Sequence, residues 1–104
     1  MTPEQSALVE QYQPLARNIA SWMLRRYPPH VDRGAVLSAA YLGLCQAALA
    51  YDATKGASFA TFARRRISGA ILDDQRASDA LTRKQRRTHN ATGDASYRGH
   101  MQLA

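Results

Sequence analysis

The side chains best suited to chemistry in this chain are basic and aromatic, and they gather between Tyr51 and Arg76. Tyr51, Lys55 and Phe62 stand beside Arg64 and Arg65, and helical periodicity adds Ser68 and Arg76 to the arginine face. Cationic groups of this kind neutralise a polyanion, so the chemistry is binding and not bond-making. Acid–base work finds no pair, because Asp73 and Asp74 are adjacent and point in different directions on a helix. His30, His89 and His100 are scattered without ligand spacing, and a single cysteine, Cys45, supplies neither a disulfide nor a zinc thiol set. There is no glycine-rich phosphate loop and no nucleophile–base constellation. Ser58 and Thr61 read as a helix cap and a helix-face hydroxyl. The expectation is a protein with no enzymatic activity, no metal and no cofactor.

Charge sharpens the choice of partner. The net charge is +6, and between Arg64 and Arg87 eight Arg or Lys stand against three Asp. The N-terminal half is nearly balanced. A basic C-terminal half suggests nucleic acid, with a merely solvated face as the bland alternative. Arg83, Lys84, Arg86 and Arg87 extend the basic run.

These groups need helices to position them. From Ser58 onward Phe59, Phe62, Ala63, Ile67, Ala70 and Ile71 follow the spacing of one apolar helix face, with the basic residues opposite. Phe59 is expected in the core, Phe62 at its boundary, and Arg66 with its stem along apolar surface. Thr2-Pro3-Glu4 starts a first helix whose apolar face holds Leu8, Tyr12, Leu15, Ala16, Ile19 and Met23. Pro14 predicts a kink there, or a break into two helices. Trp22, at the edge of that face, reads as a core anchor, and Tyr27-Pro28-Pro29 ends the segment.

Asp32 caps a middle helix from about Arg33 to Ala50, with Val36, Leu37, Ala40, Leu44, Ala47 and Ala48 inside. Gly43 costs that helix about 1 kcal/mol relative to alanine and permits a close neighbour. Asp52 to Gly56 is a turn in which Gly56 is free to take a positive φ. The basic helix runs to about Ala77, and Ser78-Asp79 predicts a further short helix from Ala80 to about His89. The fold expected is a small all-α domain of about four to five helices over residues 1–87. A flexible polar tail is expected over 88–104. One small domain is what 104 residues allow. No apolar run approaches the roughly 18–20 residues of a membrane span and no signal-peptide pattern opens the chain, so no membrane and a cytoplasmic location are expected. Asn90-Ala91-Thr92 matches a glycosylation sequon by chance in such a setting.

The central stretch resembles the second conserved region of the bacterial sigma-70 family, most closely the flagellar and sporulation type. The residues that carry the likeness are Tyr51-Asp52, Gly56, Phe59, Thr61-Phe62-Ala63, Arg66-Ile67-Ser68-Gly69-Ala70 and Asp73-Asp74-Gln75-Arg76. Leu8-Val9, Tyr12 and Pro14-Leu15 are similar to the opening helix of that region. Leu42-Gly43-Leu44 with Ala47 is similar to its middle helix. The likeness covers roughly residues 8 to 87.

The resemblance implies partners residue by residue. Ala35, Ser38, Ala39, Tyr41, Leu42 and Cys45 align with positions that dock on the β′ clamp helices of RNA polymerase core. Tyr51, Lys55, Thr61, Phe62 and Arg65 align with positions that hold flipped bases of the non-template strand at the promoter −10 element. Stacking on rings and guanidinium planes is physically apt for that role. Ser68, Leu72 and Arg76 would lie along the upstream duplex, with Arg64, Arg83, Arg86 and Arg87 adding charge toward DNA. The chain departs from the family pattern at Gly34, Ala35 and Ser38, where an acidic pair and a glutamine are usual. It departs again at Ala80 and Thr82, where an aromatic and a proline are usual. It carries no helix-turn-helix for a −35 element, which would then come from a separate subunit. Two other readings keep the likeness: an interaction protein that binds an anti-sigma factor or polymerase without opening promoters, and a DNA-binding protein of a mobile element.

Overall fold

The computed structural model describes residues 1–92, with side chains through residue 81. Two compact units divide the chain, Met1–Asp74 and Gln75–Ala104.

In the first unit, α1 spans Pro3–Leu24. Thr2 caps it reciprocally: the Gln5 amide donates to Thr2 Oγ1 at 3.2 Å, and the Thr2 amide donates to Gln5 Oε1 at 2.8 Å. Pro14 lies inside this single helix instead of dividing it. Pro14 and Glu10 are both exposed, so the Glu10 carbonyl that loses its intrahelical donor sits on the solvent side, where water can replace it. α2 spans Arg33–Ala50, and the Asp32 carboxylate accepts from the Gly34 amide at 2.9 Å. A 3-10 turn at Ala53–Lys55 follows and closes on Gly56, whose φ of 89° only glycine adopts without strain. α3 then runs Phe59–Thr92 as one helix.

Among the described residues three α-helices and a 3-10 turn therefore stand where four to five helices were expected. The expected stop at Ser78-Asp79 fails because no glycine or proline interrupts residues 70–92, and a capping residue alone does not end a helix. In the second unit Arg76 to Leu81 are exposed helical residues. The helix continues through Thr92, past residue 88, where a tail was expected to begin; residues 93–104 lie outside those described.

The core is unusually rich in alanine. Ala16, Ala20 and Met23 of α1 meet Val36, Ala39, Ala40, Leu44, Ala47 and Ala48 of α2, and Phe59, Ala63, Ile67 and Ile71 of α3. Small side chains let helix axes approach closely, and Gly43 carries this furthest. A Cβ placed there would stand 2.7 Å from Ile67 Cα and 2.8 Å from the Arg66 carbonyl oxygen, both backbone atoms of α3. Gly43→Ala gains helix propensity of about 1 kcal/mol, yet overpacking against backbone costs about 1–3 kcal/mol. A net loss of stability is the expected outcome, read as a lower midpoint in urea; a stabilised variant would show that α2 and α3 can part without penalty.

Two expectations are corrected. Trp22 is 53% exposed and is no core anchor: its neighbour Met23 takes the inward position, and the indole lies outside it under Arg26. α2 does reach the length and composition of a membrane span, with mean hydropathy 1.2 over 18 residues. Here those residues build a bundle core, seven of them buried, and a core helix passes the same test.

Candidate nucleic-acid and polymerase interfaces

Tyr51 ends α2 and bridges the turn to α3. Its hydroxyl donates to the Ala57 carbonyl at 2.8 Å, and its ring meets Phe59 edge-on at 5.3 Å and Phe62 at 5.8 Å. Phe59 also contacts Tyr12 of α1 at 4.9 Å. Three helices are thus tied at one aromatic knot, with Phe59 buried and Tyr51 and Phe62 half-buried. The loop beneath is held by Asp52, whose carboxylate accepts from the Thr54 hydroxyl at 2.6 Å and the Thr54 amide at 2.9 Å. Those two bonds, the hydroxyl's first, hold the Asp52 carboxyl below its usual range. Their support is present above pH 3.8, the ordinary value, and fades as pH falls through the depressed one.

Ser58 caps α3, accepting from the Thr61 amide at 3.2 Å and donating to the Thr61 hydroxyl at 3.0 Å. Lys55, Thr61, Arg64, Arg65 and Leu72 are exposed, and Ser68 is half-buried. Arg66 is exposed too, its guanidinium 6.0 Å from the Phe62 ring one turn before it. Arg76 is exposed in the second unit; Arg83, Arg86 and Arg87 fall in α3, but their side chains lie outside the described residues.

The arrangement divides the flanks of α3. On one flank a groove of about 470 Å3 opens between α2 and α3, lined by Ala35, Ser38, Ala39, Leu42 and Gln46 from α2 and by Ala70, Asp73 and Asp74 from α3. It gathers four of the six residues aligned with clamp-helix positions. Leu42 is 57% exposed, Ala39 is buried at the floor, and Tyr41 and Cys45, both half-buried, do not line it. The carboxylates on its far wall were missed as a binding feature because the sequence shows them only as a failed acid–base pair. Asp74 Oδ2 is buried there without a hydrogen-bond partner among the described residues. The signal was available in spacing: Ala70, the nearest side chain to the close contact at Gly43, lies one helical turn before both acids. On the opposite flank Arg64 and Ser68 face α1 across a second groove of about 420 Å3. No group of three or more metal-ligating side chains occurs among the described residues.

The structure is an all-helical bundle with one aromatic knot, a capped turn and two grooves beside α3, and sequence comparison gives its class. The Sigma-70 region 2 model matches residues 8–87, and the chain belongs to that family. Among individual proteins it is 42% identical over 91 residues to the RNA polymerase sigma factor FliA of Pseudomonas aeruginosa, covering 88% of this chain and 37% of that protein. It is 36% identical over 92 residues to FliA of Escherichia coli K12, covering 88% and 38%. It is 33% identical over 100 residues to FliA of Yersinia enterocolitica, covering 96% and 44%. The chain thus spans less than half the length of these relatives. No solved structure matches it.

Proposed function

We propose that this chain is a cytoplasmic sigma-type binding module that joins RNA polymerase core to the exposed non-template strand of a promoter −10 element. The observation that carries the reading is the division of charge across α3. The α2-side groove is walled by Asp73 and Asp74 and suits a basic helix such as those of the β′ clamp. The outer ridge and α1 side carry Arg64 and Arg65 beside Ser68 and suit DNA. Phe62 offers a half-exposed ring at the loop end, whereas Tyr51 is committed to Ala57, Phe59 and Phe62 and acts mainly as the brace that fixes the loop.

The test is fluorescence anisotropy of the whole chain with a bubble and with closed duplex of the same sequence at fixed salt. Tighter binding to the bubble is expected, with affinity falling steeply as salt rises because phosphate neutralisation releases counterions. Equal affinity for both would sink the strand-holding role. A second reading draws on the uncharged stripe Gly34, Ala35 and Ser38: an interaction protein that binds an anti-sigma factor or polymerase and leaves promoters closed. Polymerase binding without bubble preference is its signature.

A further inference from the structure

α1 carries an unexplained surface feature. Trp22 is the only tryptophan in the chain and leaves 53% of its surface in solvent, although burying an indole is among the larger apolar gains available to a small domain. The Arg26 guanidinium sits 4.1 Å over one face of its ring. Beside it lies the α1–α3 groove, floored by Leu15 and Ile19 and edged by Asn18, Trp22, Arg64 and Ser68. No carboxylate among the described residues lines this groove. Arg64, an exposed indole, an amide and a hydroxyl converge on an aliphatic floor, and Arg26 reaches the indole from outside that lining.

We infer that this groove is a stacking site for one unpaired base of single-stranded DNA, with Trp22 as its platform and Arg26 and Arg64 on the flanking phosphates. The inference rests on the strand-holding reading above and extends the DNA surface onto α1. A base has the flat π-face that the indole recognises and an edge of donors and acceptors suited to Asn18 and Ser68. Phosphates on either side of that base suit two exposed cations, Arg64 in the groove lining and Arg26 on the indole. A hydrophobic helix of a protein partner would fill the floor but would leave Arg64 to be desolvated without counter-charge.

Because Trp22 is unique, its emission reports this groove alone. An oligothymidylate of about 12 nucleotides, labelled for anisotropy, is titrated with the full chain while tryptophan emission is followed. Quenching that tracks the anisotropy curve is expected. Trp22→Ala should weaken strand binding roughly 5- to 100-fold, with Trp22→Phe retaining most of the affinity. Arg64→Gln should lower the salt slope by about one. Thermal melts should be little changed, since the indole is exposed. Binding by anisotropy with unmoved emission, and with unchanged affinity in Trp22→Ala, overturns the inference and leaves the strand-holding reading standing. No anisotropy change with strand or bubble overturns both. A tryptophan shift on adding polymerase core but not the oligonucleotide also overturns it, and assigns the groove to protein.

Discussion

Phe59→Ala is expected to destabilise the domain by about 3–5 kcal/mol, a large share of the roughly 5–15 kcal/mol that holds a small domain together. Phe59 is 6% exposed and is the buried ring of the knot, touching Tyr12 at 4.9 Å and Tyr51 at 5.3 Å. Truncation removes buried apolar area, leaves a cavity beside alanines too short to fill it, and ends both ring contacts, each worth about 0.5–1.5 kcal/mol beyond area. The urea midpoint should fall with the slope unchanged, as followed by circular dichroism. Function should suffer beyond the stability loss. Tyr51 would lose its brace while keeping its bond to Ala57, so the turn from Asp52 to Ser58 would loosen and bubble affinity would drop in protein that is still folded. Phe59→Leu should lose less, because it keeps most of the volume. A loss under about 1 kcal/mol for the alanine variant would show that the knot is not what joins the three helices.

The parts of this fold legible in the sequence are those decided by local pattern. Thr2, Asp32 and Ser58 cap where the residue types indicate, Gly56 takes its positive φ, and the stripes through Phe59, Ala63, Ile67 and Ile71 and through Val36, Ala40 and Leu44 are the observed core. What failed depends on context that no local signal holds. Pro14 is tolerated because its orphaned carbonyl faces solvent, and Ser78-Asp79 continues a helix because nothing there forces a stop. A break at Pro14 and a stop at Ser78-Asp79 are thus both decided by what surrounds the residue and not by its type. The exposed basic face of α3 was legible residue by residue, but the arrangement around it was not. Arg64 and Arg65 are neighbours in sequence, yet only Arg64 lines the α1 groove. The acids of α3 face a stripe of α2 some thirty residues earlier, a pairing set by the close pass at Gly43. Trp22 shows the same limit: helical phase placed it at the edge of a face, and only the neighbouring helices decide on which side of the edge it falls.

The pairing of α2 with the acids of α3 gives the sharpest test of the polymerase reading. Ala35 is half-buried, Ser38 is exposed, and both line the groove whose far wall is Asp73 and Asp74. The acid and amide groups usual on α2 in this family are missing, yet the groove is not neutral. If basic clamp helices are the partner, Asp73→Asn with Asp74→Asn should weaken binding to polymerase core. Ala35→Asp with Ser38→Gln should strengthen it, because charge-assisted hydrogen bonds to an arginine-rich partner are worth about 1.5–3 kcal/mol each before solvent competition. Two such bonds, once solvent competition has taken its share, correspond to roughly one to three orders of magnitude in affinity. The new carboxylate would stand near two others, which lowers the stability of the free domain slightly and makes a basic partner more welcome still. The gain should therefore shrink as salt rises and screens the groove. An apolar partner reverses both signs: the first pair would bind it better and the second worse, since each then removes or adds a charge to be desolvated. Titration of the four-way set against polymerase core at two salt concentrations separates the cases. Affinity unmoved by either pair would place the clamp contact away from this groove.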